Sequence, residues 1–320
     1  MKILITGAAG FIGYNFCHYL LKKTNFKIFG IDNINNYYST RIKLNRLKEL
    51  KRFNNFSFKK LDIRKNSFLE KIFKRQKFDF VFNFAAQAGV RYSIKHPRKY
   101  IDANINGFFN IIENSKKYKV KRLFYASSSS VYGENKNFPL NETTVINPKN
   151  IYGLSKKINE EISFIYNKYY KLKITGLRFF TVFGEWGRPD MMMMKFVDSH
   201  FKNKTFNLYN YGKHHRDFTY IGDVTEIMYK LLKKNKNLKP TDIYNICSNR
   251  PVSLKKVIEI MKQNKIKPRI KKLSLQQADI IKTHGNNKKL INLIGNIKYT
   301  PVNQSILNTI NWYKNYYQKK

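Results

Sequence analysis

The feature that most constrains this chain is a rhythm. Through its first half, short apolar runs alternate with stretches of helical periodicity. The runs at residues 2–6, 27–31, 56–61, 79–84, 122–126 and 174–179 have the length of buried strands. The segment after the first run places Ile12, Phe16, Tyr19 and Leu20 on one helical face. A later one does the same with Ile158, Ile162, Ile165 and Tyr169. Parallel strands need long crossovers, so repeated βα alternation predicts an α/β fold with a doubly wound parallel sheet. Right-handed crossovers then gather ligands at the carboxyl ends of the strands. After about Gly184 the rhythm changes. Residues 186–190 and 203–217 read as loops, with a helix near 223–233 and a strand near 243–247. The expected division is residues 1–183 as the main domain and 184–320 as a smaller α/β lobe, with about 216–248 returning to the first.

Composition removes several classes. The chain has 320 residues, 42% of them hydrophobic, which is globular rather than disordered. Two cysteines, Cys17 and Cys247, make neither a disulfide framework nor a cysteine metal site. The six histidines lack ligand spacing, so no metal is expected; His214 and His215 are adjacent. No apolar run approaches the ~20 residues of a membrane span. No leader is read ahead of the first strand, so a reducing, cytoplasmic setting is expected. Lys and Arg number 62 against 20 Asp and Glu, a formal charge of +42. That imbalance raises nucleic acid, a membrane surface or an acidic substrate as partners. The basic residues are scattered and mostly lysine, and no recognised nucleic-acid motif occurs.

Between the first strand and the first helix stands Gly7-Ala8-Ala9-Gly10-Phe11-Ile12-Gly13. Glycines let the backbone approach a pyrophosphate, and a helix N-terminus offers free N–H groups to it. Such a string is weak alone; its flanking strand and helix strengthen it. Its spacing points to the short-chain branch of Rossmann proteins. Asp32 follows Gly13 by 19 residues, at the end of the next strand. An acid there can bind a ribose diol and would repel a 2′-phosphate, which favours NAD over NADP. The alternative is that Asp32 only starts the turn before Ile34. Asp62 ends the third strand and fits either an adenine amino group or a simple strand-end turn.

Tyr152 and Lys156, four residues apart, share one face at the start of a helix. A phenol is a poor base near pH 7, and a neighbouring ammonium favours its phenolate. That pairing suits removal of a proton from a sugar hydroxyl. In a chain this rich in Tyr and Lys the spacing alone is commonly a surface coincidence. A strand ending in Ser127-Ser128-Ser129-Ser130 places a hydroxyl, Ser128, 24 residues before Tyr152.

With these strings in order, the sequence resembles the extended short-chain dehydrogenase/reductase family of nucleotide-sugar epimerases and dehydratases. Matching strings are Gly7–Gly13, Asn83-Phe84-Ala85-Ala86, Asn104-Ile105-Asn106-Gly107, Ser127–Gly133, Tyr152–Lys156 and Arg216-Asp217-Phe218-Thr219-Tyr220. Within it the chain is most similar to the UDP-glucuronate 4-epimerases. The strings carrying this are Ala85–Ser93, Leu177–Gly184 and Trp186–Met191. The resemblance implies a Rossmann-type fold, NAD as cofactor, a UDP-sugar substrate and a homodimer formed through paired helices, including that of Tyr152. It implies Tyr152 as base, Lys156 as the residue that holds the NAD ribose and tunes Tyr152, and Ser128 as hydroxyl partner. Gly7, Gly10, Phe11, Ile12, Gly13, Asp32, Asp62, Ile63, Ala85, Ala86 and Asn104 fall to the cofactor. Asn104 would also shape the active-site helix. Thr181, Arg188 and Ser129 surround the sugar carboxylate, Arg216 meets the diphosphate, and Arg91 belongs to the substrate site. Asn83 stands where the family often has His. The segment 276–286 follows the family's pattern only loosely.

The expected reaction is 4-epimerisation of UDP-glucuronate to UDP-galacturonate through a transient 4-keto sugar. A 4-keto uronate is a β-keto acid and tends to lose CO₂. A guanidinium at Arg188 can clamp the carboxylate and oppose that loss; the plainer reading of Arg188 is a salt bridge to Asp190. The related dehydratases and decarboxylases usually carry an acid beside the catalytic hydroxyl, where this chain has Ser129 and Ser130. Epimerases of neutral UDP-glucose or UDP-N-acetylglucosamine are opposed only by the Thr181 and Arg188 region. A basic nucleic-acid binder with a vestigial core is the alternative from a different class. Met191–Met194 reads as helix packing or as a lid over the sugar.

Overall fold

The computed structural model describes residues 1–276 and 279–317. Gln277 and Ala278, in the loosely matching C-terminal segment, lie outside the described residues. The strands are β1 Lys2–Thr6, β2 Lys27–Asp32, β3 Phe56–Lys60, β4 Phe80–Asn83, β5 Arg122–Ser128, β6 Ile174–Phe179, β7 Thr181–Phe183, β8 Thr205–Tyr209, β9 His215–Tyr220, β10 Thr241–Ile246, β11 Pro251–Ser253 and β12 Arg269–Leu273. The helices are α1 Phe11–Lys23, α2 Thr40–Leu50, α3 Asn66–Gln76, α4 Val90–Lys95, α5 Pro97–Tyr100, α6 Gly107–Lys117, α7 Ile151–Tyr170, α8 Met192–Phe201, α9 Ile221–Lys233, α10 Leu254–Gln263, α11 Lys288–Ile294 and α12 Val302–Tyr317.

Seven strands form one sheet in the order β10-β6-β5-β4-β1-β2-β3, and every neighbouring pair is parallel. This is the doubly wound Rossmann-type architecture expected from the alternation. The strand order reverses between β1 and β4, where such sheets open a crevice. One face is covered by α1 and α9, whose Phe16, Leu20, Val224 and Met228 share a core with Ile3 and Phe82. The other face packs Phe108 and Ile111 of α6 and Tyr166 of α7 against Leu4, Val81 and Leu123.

A separate core lies beyond the carboxyl ends of the strands. It joins α8, α10 and α12 through Met193, Phe196, Val257, Ile260 and Ile310. A three-stranded sheet β11-β9-β7 and the β12-β8 pair flank it. Met193 and Met194 are buried here, as in the helix-packing reading, while Met191 reaches the cleft.

Two local expectations differ from the structure; first, residues 203–217, read as a loop, carry β8 and the start of β9, which pair with β12 and β11. The helix predicted from Ile158, Ile162, Ile165 and Tyr169 is α7; Ile162 packs on the core, whereas Ile165 is 53% exposed and Tyr169 66%. Ser155, Lys156, Asn159, Glu160, Ser163 and Tyr166 are buried instead. The sheet beneath them presents charged and hydroxyl partners, so the polar side turns inward. Second, β5 runs on to Ser128 because Ser127 and Ser128 pair with Arg178 and Phe179 of β6. Cys17 and Cys247 are buried and unpaired. Among the described residues no helix is long and apolar enough to cross a membrane, and no group of three or more His, Cys, Asp or Glu could hold a metal.

Candidate active site

A cleft of about 440 Å³ opens over the carboxyl ends of the strands. It is lined by Gly7, Gly10, Phe11, Ile12, Gly13, Asp32, Asp62, Ile63, Ala85 and Ala86 on one side. Ser128, Ser129, Tyr152, Lys156, Thr181, Arg188 and Arg216 line the other. Residues spread over more than 200 positions of sequence thus meet in one cavity. Arg91 and Asn104 are outside its lining.

The first half is shaped for a dinucleotide. Gly7 has φ +70°, and a Cβ added at Gly13 would stand 2.2 Å from the Gly7 carbonyl oxygen. The turn therefore closes with no side chain filling its mouth. Gly10 caps α1 without a side-chain bond, which leaves the amides of the first turn open to an anion. Asp32 stands at the end of β2, buried; its Oδ2 accepts from the Ala9 amide at 3.1 Å and its Oδ1 from Ile34 at 2.7 Å. It makes the turn and lines the cleft together, and each oxygen keeps a lone pair for a ribose hydroxyl. Burial pushes its carboxyl up, with the Ile34 amide and Lys43 opposing. Asp62 is more occupied. Arg64 and Asn33 supply four hydrogen bonds, at 2.7–3.0 Å. Burial pushes Asp62 up, but these bonds outweigh it and hold it at about 2. Another donor has to displace one of them. NAD fits this half.

The second half carries the acid–base groups. Ser128 is the last residue of β5, and its Oγ accepts from the Ser130 amide at 3.2 Å. Asn150 caps α7 by accepting from the Gly153 amide at 2.8 Å, which fixes the first turn bearing Tyr152. Burial pushes the Tyr152 phenol up, while the Ser128 hydroxyl and the Arg188 guanidinium pull it down. Lys156 instead donates to the Ala126 carbonyl at 2.8 Å, with Nζ 6.0 Å from the Tyr152 ring centroid. Two cations thus bear on the phenol: Lys156 beside its ring, as the sequence suggested, and Arg188, whose charge also favours the phenolate. Burial lowers Lys156 to about 8, against the pull of Glu160.

Arg188 pairs with Asp190 through Nε–Oδ1 at 3.0 Å and Nη2–Oδ2 at 2.6 Å. The plainer reading, a salt bridge to Asp190, is the one present here, and Arg188 itself lines the cleft. Tyr37 donates to the same carboxylate at 3.1 Å, and its ring lies 5.7 Å from the guanidinium carbon. Thr181 opens β7, half-buried at the cleft. Arg216 donates to the His215 and Ile281 carbonyls, both at 2.9 Å, and burial lowers it to about 10. Arg91 is exposed. It forms a bidentate pair with Asp279 and lies 4.5 Å over the Tyr209 ring. Asn104 is buried behind the cleft. It accepts from the Gln87 amide at 2.7 Å and donates to Ser155 Oγ at 3.0 Å, linking the β4 loop to α7.

Sequence reasoning passed over Lys43, Arg46, Glu160 and Arg178. A signal existed for the first two: both sit on the face of α2 that carries Ile42, Leu47 and Leu50, where a soluble helix places apolar residues.

A profile of the NAD dependent epimerase/dehydratase family matches residues 3–247. Protein CapI of Staphylococcus aureus is 41% identical over the full length of both chains. The UDP-glucuronate 4-epimerase of Thermodesulfobacterium geofontis is 34% identical over 97% of this chain and 95% of that one. The crystal structure of the UDP-glucuronic acid 4-epimerase of Bacillus cereus, in complex with UDP-glucuronic acid and NAD, superposes with a TM-score of 0.93. It is 29% identical and covers 99% of this chain and 100% of that chain. The profile match over most of the chain, on a fold with an open dinucleotide cradle, shows that this protein belongs to the NAD-dependent epimerase/dehydratase family.

Proposed function

We propose that the protein is an NAD-dependent isomerase that interconverts UDP-glucuronate and UDP-galacturonate at C4. The observation that carries the substrate choice is Arg188, a guanidinium in the cleft wall beside Tyr152, Ser128 and Thr181. Asp190 takes its Nε and one Nη2 proton, and the outer Nη1–Nη2 edge is the one a uronate carboxylate would pair with bidentately, an anion that a neutral sugar lacks. The relatives named UDP-glucuronate 4-epimerase support the same reading.

NAD, held by the Gly7–Gly13 turn and Asp32, supplies reversible two-electron oxidation of the sugar carbon. Tyr152 accepts the O4 proton as C4 becomes a carbonyl and returns it when the alcohol re-forms. Ser128 holds the O4 hydroxyl on line with the phenol. Lys156, fixed on the Ala126 carbonyl, keeps a positive charge under the ribose side of the cleft. Rotation of the 4-keto sugar about its diphosphate, held by Arg216, presents its other face. Arg188, with Thr181 and Ser129, grips the carboxylate and holds the C–CO₂ bond out of overlap with the C4 carbonyl, which disfavours decarboxylation. The stretch 129–130 has no acid beside the catalytic hydroxyl, so water elimination lacks its proton donor.

Phe164, Ile165 and Tyr169 of α7 are exposed, and so is Phe109 of α6, whose ring lies 6.1 Å from that of Tyr166 of α7. We assign this apolar face to a second copy of the chain, a homodimer. The two buried, unpaired thiols fit a reducing compartment such as the cytoplasm. The reading is tested by incubating purified protein separately with UDP-glucuronate, UDP-glucose and UDP-N-acetylglucosamine and following proton NMR. Galacturonate signals from the first and slow or no turnover of the others are expected. Galactose signals without galacturonate would contradict it.

A further inference from the structure

Arg46 is a fully buried guanidinium whose hydrogen bonds among the described residues all go to neutral oxygens. Its Nη1 donates to the Ala9 carbonyl at 2.8 Å and to the Tyr38 hydroxyl at 2.9 Å. Its Nη2 donates to the Trp186 carbonyl and, at 3.4 Å, to that of Gly187. Its Nε has no partner among the described residues. The buried Asp32 carboxylate, which takes the amide of the same Ala9, acts on it electrostatically without bonding it, so the fork itself is held by carbonyls and a hydroxyl rather than by an ion pair.

The two prongs of this fork grip two different loops. Ala9 belongs to the glycine turn that cradles the dinucleotide. Trp186 and Gly187 immediately precede Arg188. Trp186 adopts φ +58°, a left-handed backbone that a bulky side chain rarely takes. Its indole is wedged between Tyr14 of α1, at 5.0 Å, and Trp312 of α12, at 5.2 Å. The Trp186 carbonyl is thereby turned toward Arg46. Asn15 of α1 adds a second tie, from Nδ2 to the Glu185 carbonyl at 3.4 Å.

We propose that Arg46 is a positioning residue that couples occupation of the dinucleotide half to the placement of Arg188 in the sugar half. An anion at the N-terminus of α1 attracts the guanidinium behind the turn and fixes its fork. The fixed fork holds the two carbonyls that precede Arg188. Being a coupling between two binding events, it is reciprocal. It rests on the proposed substrate only for the choice of second ligand.

The test compares wild type with Arg46→Met and with Arg46→Lys, which keeps the charge and loses the fork. Affinity for UDP-glucuronate is measured with and without saturating NAD on protein stripped of nucleotide, with UDP as control for an intact diphosphate end. In wild type, NAD tightens UDP-glucuronate by about fivefold or more. In both variants that factor falls toward one while UDP binds within about twofold of wild type. A factor unchanged in Arg46→Met overturns the proposal. Hydrogen exchange on wild type needs no variant to fold: NAD alone is expected to slow the amides of residues 184–190. Unchanged exchange there overturns the coupling as well. If UDP-glucuronate does not bind at all, the substrate reading fails, and exchange under NAD alone still decides the role of Arg46.

Discussion

Glu160 and Arg178 form a two-pronged buried pair, Oε1 to Nε at 2.9 Å and Oε2 to Nη2 at 2.8 Å, one helical turn beyond Lys156. Ser127, next to Ser128, donates to the same carboxylate, and Arg178 extends the network to the Tyr132 hydroxyl at 2.9 Å. The polar face of α7 is therefore tied to the carboxyl ends of β5 and β6. Removing one partner leaves the other charge buried alone. Glu160→Gln is expected to lose about 3–5 kcal/mol in denaturant unfolding. Because Glu160 opposes the burial that lowers Lys156, the alkaline limb of the kcat–pH profile should also move to lower pH. An unmoved limb would separate the pair from the lysine.

Lys156 gives a second test through stability. Its pKa falls from 10.5 in the open chain to about 8 when buried. Between these values the unfolded chain binds more protons, so stability from this group rises as pH increases from about 8 to 10.5. The cost of burying the ammonium is fully present below about 8 and amounts to about 3 kcal/mol. Without added NAD, Lys156→Met should melt no lower than wild type at pH 7, with that advantage shrinking toward pH 10, while turnover is lost. Thermal melts across pH check it; a variant much less stable at pH 7 contradicts it.

Tyr152→Phe removes the proton carrier and little else. Turnover should fall about a hundred- to ten-thousand-fold, with UDP-glucuronate binding within about threefold by calorimetry. Retained turnover would move the base elsewhere.

Arg188→Ala tests the clamp. The variant should bind UDP-glucuronate about tenfold more weakly or worse, since a lost charge-assisted bidentate pair is worth at least about 1.4 kcal/mol. Product analysis by NMR should show a pentose beside any galacturonate. Unimpaired turnover with no pentose contradicts the clamp.

Gly13→Ala places a Cβ 2.2 Å from the Gly7 carbonyl oxygen, too close for any contact. The turn must open, and the purified variant should lose most of its bound NAD, measured by absorbance of the released nucleotide. Full retention would mean that the cradle lies elsewhere.

Much of this was legible in the sequence because the decisive residues stand at the ends of regular elements. The Gly7–Gly13 turn, Asp32, Ser128 and Tyr152 each follow or begin a strand or helix, and strand order alone brings them to one crevice. The spacing of Ile158, Ile162, Ile165 and Tyr169 announced α7 but not the polar face it buries, where Lys156, Asn159 and Glu160 point in. Periodicity ranks residues by hydropathy and is blind to the buried arginine on β6 that pairs with Glu160. Arg46 was missed for a related reason. Its partners are backbone carbonyls at Ala9 and Trp186, and no side-chain identity announces a carbonyl.

The central claim is that the configuration at C4 of a UDP-uronate is inverted by oxidation and reduction within one cleft. UDP-glucuronate deuterated at C4, incubated with the protein in ordinary water, tests it most directly by NMR. The account predicts UDP-galacturonate with the deuterium retained at C4. Deuterium lost to solvent, or no galacturonate at all, would contradict it.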